Sequence, residues 1–180
     1  MKLNAKQLRS HQPSAISHQT LKKAKKNEIY IILDNVLDTY NIGSVFRLAD
    51  AVNAKKIYLC AGSETPPNHR IKKASINTME IVEWEYFEKT TDAIKDLRFK
   101  NKDIRIIAVE QSEKSVPYDK YDYSLPIALV VGHESDGVSK EVLDLCDGIV
   151  ELPMLGVNVS LNVMVSLGIV LYKVVEKTGL

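Results

Sequence analysis

The sequence predicts an α/β fold in which a mostly parallel, six-stranded sheet is covered by helices on both faces. Short apolar runs alternate along the chain with segments of helical periodicity, which is typical of parallel sheets. Several runs, such as residues 127–131, are apolar at every position, as expected for strands that are buried on both sides. The length of 180 residues, of which 45% are apolar, suits a single domain with a full core.

The six predicted strands are residues 30–33, 56–60, 81–85, 104–109, 127–131 and 148–152. Each is rich in aliphatic or aromatic residues, which pack well on a pleated sheet. Glycine, proline and polar residues separate the strands and predict loops at residues 62–68 and 112–124. The alternation alone does not determine the order of the strands.

Five helices are predicted at residues 41–53, 70–77, 91–100, 139–146 and 160–177. Asn41 is well placed to cap the first, whose apolar residues share one stripe, and Ser139 to cap the fourth. Arg47 lies nearly opposite that stripe and is expected to point outward. The last helix is apolar on almost every side, which indicates burial on most faces and, in a domain of this size, a subunit interface.

Residues 1–26 form a separate segment, predicted as a short helix and a basic arm ahead of a domain at residues 27–180. The segment has seven lysine and arginine residues and no acid, although the net charge of the whole chain is only +1. A second basic group contains His69, Arg70, Lys72 and Lys73. Both groups are compatible with contacts to phosphates and also with an ordinary solvated surface.

Several classes of protein are disfavoured by the sequence. Cys60 and Cys146 are too few for a disulfide framework or a zinc site, which favours a cytoplasmic setting. No signal peptide is recognisable, and the most apolar stretch is shorter than a membrane span. No Gly-x-Gly occurs, so both the dinucleotide fingerprint of Rossmann enzymes and the P-loop are missing.

Three separated segments combine polar residues with strand ends and helix starts. The first, residues 41–47, opens a helix with Asn41 and carries Arg47. The second, residues 132–137, follows a buried strand and holds Glu134 between two glycines. The third, residues 152–162, leaves a strand through a Pro/Gly loop and reaches Ser160 and Asn162. Because ligands bind at the carboxyl ends of parallel strands, such segments can surround one small ligand.

Together the three segments resemble the SpoU family of RNA ribose methyltransferases, also called TrmH-like, within the SPOUT superfamily. The resemblance covers roughly residues 28–175, and residues 33–51 are especially similar to TrmH-type members. It implies a C-terminal deep trefoil knot, with the last helix threaded through a loop near residues 132–156. It also implies a homodimer and transfer of a methyl group from S-adenosyl-L-methionine to a ribose 2′-hydroxyl of tRNA or rRNA. A tRNA guanosine is the first expectation, and no metal is required.

The resemblance assigns roles to ten residues. The implied catalytic residues are Arg47, Asn41, Glu134, Ser160 and Asn162. The implied cofactor-binding residues are Gln111, Gly132, Leu152, Met154 and Leu161. His133 departs from the family pattern, in which a small or amide residue is more usual, and so does the run Met164-Val165-Ser166.

Each segment also has an ordinary structural interpretation. The first is then a capped amphipathic helix with an Arg47–Asp50 surface pair, and the second a simple strand–turn–helix connection. Asn162 would only satisfy backbone groups at the start of the last helix. The alternative for the whole chain is a non-catalytic RNA-binding module that keeps the SPOUT fold.

Overall fold

A computed structural model describes residues 25–180, which form a seven-stranded sheet with helices on both faces. The predicted arm of residues 1–26 therefore lies almost entirely outside the described residues. The strands are β1 (Asn27–Asp34), β2 (Ala54–Cys60), β3 (Trp84–Phe87), β4 (Arg105–Val109), β5 (Val116–Pro117), β6 (Ile127–Gly132) and β7 (Gly148–Glu151). Their order is β3-β2-β1-β6-β4-β7-β5, and every neighbouring pair is parallel.

The prediction of six strands was wrong by one. β5 has only two residues, pairs with β7 at the edge of the sheet, and lies inside the predicted loop 112–124. The third strand also differs: residues 78–80 form a short 3-10 helix, and β3 begins at Trp84 rather than residue 81. Its start is set by pairing, since Trp84 lies opposite Ile57 of β2.

The helices are α1 (Thr39–Ala51), α2 (His69–Ser75), α3 (Thr90–Lys100), α4 (Lys140–Leu143) and α5 (Val163–Thr178). α1 begins two residues earlier than predicted, because Asp38 is its cap and accepts hydrogen bonds from the N–H groups of Tyr40 and Asn41. The expected capping role of Asn41 was therefore wrong. α5 begins three residues later than predicted, because its cap is Asn162. α4 is one short turn, and the Ser139 side chain makes no capping bond to it.

Alternating strand residues face two separate cores. In β1, Ile29, Ile31 and Leu33 pack toward α1, α2 and α5, whereas Tyr30 and Ile32 pack toward α3 and α4. Strand residues buried on both sides explain the continuous apolar runs of the sequence. Because all strands are parallel, β1, β4, β6 and β7 end at the same edge of the sheet, where the three segments meet.

The two cysteines belong to the second core. Cys60 ends β2 and is fully buried, and Cys146 follows α4 and is largely shielded. Burial raises the pKa of each thiol to about 12. Both are free thiols that remain protonated at neutral pH.

Candidate functional site

A cleft of about 410 Å³ lies at the carboxyl ends of β4, β6 and β7. This volume is within the usual range for sites that bind small molecules. Its walls come from the strand ends, from residues 132–137 and from residues 152–163. Apolar side chains supply much of the wall: Val109, Val131, Val150, Leu152, Met154, Val159, Leu161 and Val163.

Three side chains join the three segments beside this cleft. The Asn41 Nδ2 donates a hydrogen bond to Glu134 Oε1 at 3.2 Å, and Asn41 Oδ1 accepts one from Asn162 Nδ2 at 3.0 Å. Asn41 is almost fully buried, while the Oδ1 of Asn162 accepts from the N–H groups that open α5. Residues far apart in the chain thus form one network, Glu134–Asn41–Asn162.

The Glu134 carboxylate is a hydrogen-bond acceptor for three groups. Besides the Asn41 amide, it accepts from the N–H of Leu37 at 3.2 Å and from the N–H of Asp38 at 3.0 Å. Burial by itself would raise the pKa of the Glu134 carboxyl, but the donors, with Asp38 first and Asn41 next, lower it below its usual value. Glu134 is therefore ionised at neutral pH, and it fixes the segment that precedes α1.

The turn that carries Glu134 is held by its own backbone and by His133. His133 and Gly137 exchange two backbone hydrogen bonds of 3.0 and 2.9 Å. The His133 Nδ1 accepts from the N–H of Ser135 at 3.1 Å and of Asp136 at 3.3 Å. An asparagine oxygen commonly makes such bonds in turns, so the imidazole at this position performs the task of the more usual amide.

Gly132 has no space for a side chain. A Cβ added there would lie 2.1 Å from the carbonyl carbon of Gly137 and 2.2 Å from the backbone N of Val138. Gly137 adopts a φ of 69°, in the left-handed region that favours glycine. The two glycines therefore allow the chain to fold back closely upon itself at the floor of the cleft.

Glu110 and Gln111 connect β4 to the other two segments. Glu110 accepts hydrogen bonds from the N–H of Gln111 and of Val138, each 2.8 Å long. The Gln111 Nε2 donates to the carbonyl oxygen of Val159 at 2.7 Å, across the cleft. Glu110 was not predicted from the sequence, although an acid that directly follows a buried strand is a recognisable signal.

Nine of the ten residues singled out from the sequence lie in this region. The expected cofactor-binding residues all line the cleft, as do three of the expected catalytic residues: Gln111, Gly132, Leu152, Met154, Leu161, Glu134, Ser160 and Asn162. Asn41 is bonded to two of them. Ser160 is exposed and does not cap α5. The tenth residue, Arg47, does not line the cleft.

Arg47 is exposed and lies on a different side of α1. Six residues separate it from Asn41, which corresponds to about 120° around a helix. Within residues 25–180 Arg47 takes part in no ion pair, so the surface pair with Asp50 is not formed there. Arg47 therefore lies on the surface, outside the lining of the cleft of its own subunit.

Beside α1, α5 has an exposed apolar face consisting of Val165, Ile169 and Tyr172, which Leu161 extends just before the helix begins; each of the four is 37–53% exposed. The opposite side of the helix is fully buried at Leu167, Val170, Leu171 and Val174. Within the single chain α5 is therefore buried on one side only, and burial of its other side in a subunit interface stays a prediction. Gly168 of α5 lies against the Leu48 side chain of α1, so the two helices are in contact, and α1 itself exposes the side chain of Tyr40.

Within residues 25–180 no helix is long and apolar enough to cross a membrane. Within the same residues, no group of His, Cys, Asp and Glu is arranged to hold a metal ion.

Comparisons of sequence identify relatives of this chain. The SpoU rRNA Methylase family matches residues 28–172. A tRNA (guanosine(18)-2′-O)-methyltransferase of Aquifex aeolicus is 35% identical over 159 residues, which are 86% of this chain and 72% of that enzyme. A Bacillus subtilis protein assigned to the TrmH family of tRNA/rRNA methyltransferases, YacO, is 30% identical over 85% of this chain and 61% of its own length. The chain thus spans about three fifths to three quarters of these relatives.

Solved structures of related enzymes are similar to this chain over most of its length. The TrmH/SpoU tRNA modifying enzyme of A. aeolicus has a TM-score of 0.77 and 30% identity, covering 89% of this chain and 81% of that one. An AdoMet-bound rRNA methyltransferase from Sinorhizobium meliloti has a TM-score of 0.77 and 27% identity, covering 87% and 59%. The match over residues 28–172 and the shared fold confirm the resemblance seen in the three segments: this chain belongs to the SpoU (TrmH-like) methylase family.

Proposed function

We propose that this protein transfers a methyl group from S-adenosyl-L-methionine to a ribose 2′-hydroxyl of tRNA or rRNA in the cytoplasm. The observation that supports this most directly is the network Glu134–Asn41–Asn162, which joins all three segments beside one cleft. Its family relatives include a tRNA 2′-O-methyltransferase and an rRNA methyltransferase bound to AdoMet. The 2′-hydroxyl of a tRNA guanosine is the first candidate, by analogy with the A. aeolicus relative.

The residues of the cleft fit S-adenosylmethionine. The strand ends provide backbone groups and apolar walls suited to an adenine ring, with Leu152, Met154 and Leu161 among them. Gly132 lets the backbone of Gly137 and Val138 close the floor of the cleft, where a side chain would not fit. When bound, the cofactor supplies a methyl group on a positively charged sulfur. Glu110, Glu134 and Glu151 also line the cleft, and their negative charge is favourable for a cation.

The nucleophile is a hydroxyl that must lose its proton. Glu134 is a weak base because its pKa is lowered and three donors already occupy its oxygens. Arginine also remains protonated, so Arg47 acts as a fixed cation that stabilises the developing alkoxide. Preorganised charge of this kind lowers the activation barrier by about 3–4 kcal/mol. Glu134 and an RNA phosphate are the two candidate acceptors for the proton, and Ser160 and Asn162 orient groups at the mouth of the cleft.

Arg47 reaches a cleft in a homodimer, where it serves the partner subunit. Two observations support this arrangement: Arg47 is exposed and does not line its own cleft, and the exposed apolar face of α5 lies alongside α1. Burial of this face between two copies would stabilise a symmetric dimer and carry the Arg47 of one subunit to the other. The knot belongs to the same proposal, with α5 threaded through the loop near residues 132–156.

The experiment is methyl transfer by mixed dimers of Arg47→Ala and Asn162→Ala subunits. Each variant alone is expected to transfer no tritiated methyl group to RNA, although Arg47→Ala still binds S-adenosylmethionine in calorimetry. If Arg47 serves the partner, each site combines the Asn162 of one subunit with the Arg47 of the other. In a mixed dimer both substitutions then fall in the same site, and the second site is intact. Random mixing then restores about a quarter of the wild-type activity, since half of the dimers are mixed.

Lys95→Ala, an exposed cation on the other face of the sheet, is the matched control for charge removal. No recovery in the mixture would contradict the shared site. Near-normal turnover of Arg47→Ala would contradict its role altogether. Binding of S-adenosylmethionine and RNA without any transfer by the wild type would instead support the non-catalytic RNA-binding module.

A further inference from the structure

The surface of α2 carries a cluster of basic residues, His69, Arg70, Lys72 and Lys73, here called the α2 basic patch. All four side chains are exposed, and the helix contains no acid. Within residues 25–180 the only ion pair of the patch joins Lys72 to Glu80 at 3.1 Å, with both side chains more than half exposed. Such an exposed pair binds weakly, so most of the positive charge is available to a partner.

The α2 basic patch is held rigidly against α1. A Cβ added to Gly43 of α1 would lie 2.5 Å from the Ala74 Cβ and 2.8 Å from the Ile71 carbonyl oxygen, so the two helices touch backbone to backbone. Ile71 is fully buried, and the Asn68 side chain caps α2 at its start. The patch therefore keeps a fixed position relative to the residues of α1.

Arg47 lies on the side of α1 that faces α2. It follows Gly43 by four residues, which is one turn and about 40° around the helix. Asn41, which bonds to two residues that line the cleft of its own subunit, lies on another side of α1. The patch and the proposed catalytic cation are consequently on neighbouring surfaces.

The chain immediately after α2 is strained and exposed. Ile76 and Asn77 both adopt left-handed backbone angles, with φ of 51° and 67°, and Ile76 is 65% exposed. A β-branched residue rarely adopts this conformation, and such strain concentrates at functional surfaces. The Thr78 hydroxyl holds the turn by donating to the Ser75 carbonyl oxygen at 2.7 Å. The turn thus presents an apolar side chain beside the cations.

We infer that the α2 basic patch binds the phosphodiester backbone of the substrate RNA, next to the nucleotide whose ribose meets Arg47. This inference rests on the proposed function, because it places the RNA relative to the catalytic site. Cations held at a fixed distance from the reacting group position the RNA without reading its sequence. In the dimer, RNA that enters the cleft of one subunit crosses α2 of the other.

The test compares the affinities of dimeric protein variants for a fluorescent, unmodified tRNA transcript. The variant Arg70→Gln/Lys72→Gln/Lys73→Gln removes three charges from the patch. We expect its Kd to rise about tenfold or more and the slope of log K against log salt to fall by roughly 2–3, as for the loss of about three phosphate contacts. Binding of S-adenosylmethionine and the kcat at saturating RNA are expected to remain at wild-type values, while KM rises.

Two further variants give the controls. Lys95→Gln/Lys100→Gln/Lys102→Gln removes three exposed cations from the α3 side of the sheet and is expected to leave RNA affinity within twofold of the wild type. Lys72→Arg/Lys73→Arg retains the charge and is expected to bind RNA normally, which separates charge from side-chain shape.

Equal RNA affinities of the wild type and the α2 triple variant would overturn the inference, as would an equal loss in the α3 control. These outcomes leave methyl transfer unaffected and so do not touch the proposed function. A wild type that binds the transcript but transfers no methyl group would contradict the proposed function, while the comparison of affinities would still decide the role of α2.

Discussion

Replacing Asn41 by aspartate exchanges one NH₂ group for an oxygen at the centre of the three-segment network. The new carboxylate can still accept the hydrogen bond from Asn162 Nδ2, but it cannot donate to Glu134 Oε1, which would lie about 3.2 Å away. Exchange of this one group therefore turns the hydrogen bond between residues 41 and 134 into a repulsion between two carboxylates.

The magnitude has two parts. Loss of a hydrogen bond to a charged group costs about 1.5–3 kcal/mol. Two unit charges 3.2 Å apart repel by roughly 1.3 kcal/mol in bulk water and by about 5 kcal/mol in an environment of lower polarity. Glu134 is exposed, so solvent screening keeps the repulsion near the lower value. The expected decrease in the free energy of unfolding at neutral pH is about 3–4 kcal/mol, which leaves most domains folded.

The loss depends on pH, and its sign follows from the pKa of Glu134. In the wild type this pKa is lowered below the ordinary value of 4.5, so the carboxylate adds stability above that pH, and this stability is lost as the pH falls. In the variant the neighbouring charge raises the pKa of the pair, so ionisation destabilises the folded state at neutral pH. The difference between the two proteins is therefore largest near pH 7 and decreases as the pH falls through about 4.5.

Urea unfolding at pH 7 and at pH 4 measures this difference. Asn41→Ala removes the same bonds without adding a charge and should lose stability with a weaker dependence on pH. Asn158→Asp makes the same chemical change at an exposed position of the 152–162 loop and should match the wild type. The reasoning would be refuted if Asn41→Asp were within 0.5 kcal/mol of the wild type at pH 7, a margin ordinary for surface changes, or if its loss were the same at both pH values.

Four further substitutions, at three positions, test the turn and the interface. Gly132→Ala forces a methyl group into the backbone of Gly137 and should cost about 3 kcal/mol or more and abolish S-adenosylmethionine binding; an unchanged calorimetric Kd would contradict this. His133→Asn should keep cofactor affinity and His133→Ala should weaken it, because only the amide oxygen can replace the imidazole acceptor; equal affinities would argue against this role. Ile169→Asp charges the exposed apolar face of α5 and should give monomers in sedimentation without methyl transfer, whereas a stable active dimer would exclude this face as the interface.

The sequence predicted the type of fold well because buried strands have a clear signature. β6 and residues 29–33 of β1 are continuous apolar runs, and the prediction located both strands. β5 was missed because two residues, one of them a proline, carry no periodic pattern. β3 was displaced because its apolar neighbour Val82 is buried in the core without being part of the strand.

Helix ends were predicted less accurately, since several capping residues compete locally. Asp38 and Asn41 are both suitable caps, and only the packing of α1 decides that Asp38 performs this role. Similarly, Ser160 and Asn162 compete at the start of α5. Because Asp38 caps α1, the side chain of Asn41 is free to bond to Glu134 and Asn162.

The residues of the site were predictable as a set but their contacts were not. Family resemblance singled out Glu134 and Asn162, whereas their common bond to Asn41 depends on three loops meeting in space. The role of His133 was not evident from sequence because its Nδ1 satisfies a turn that forms only when Gly132 and Gly137 fold together. Short-range patterns reveal such residues, but long-range geometry reveals what they do.

The two shielded thiols have a practical consequence for experiments on this protein. Cys60 and Cys146 are the only cysteines in the chain, and a pKa near 12 leaves them almost without thiolate at neutral pH. Maleimide reagents should therefore react slowly with the native protein. A single cysteine introduced on the surface of α2 could then carry a spin label or a fluorophore selectively, giving distances between subunits and to bound RNA without any need to remove the natural residues.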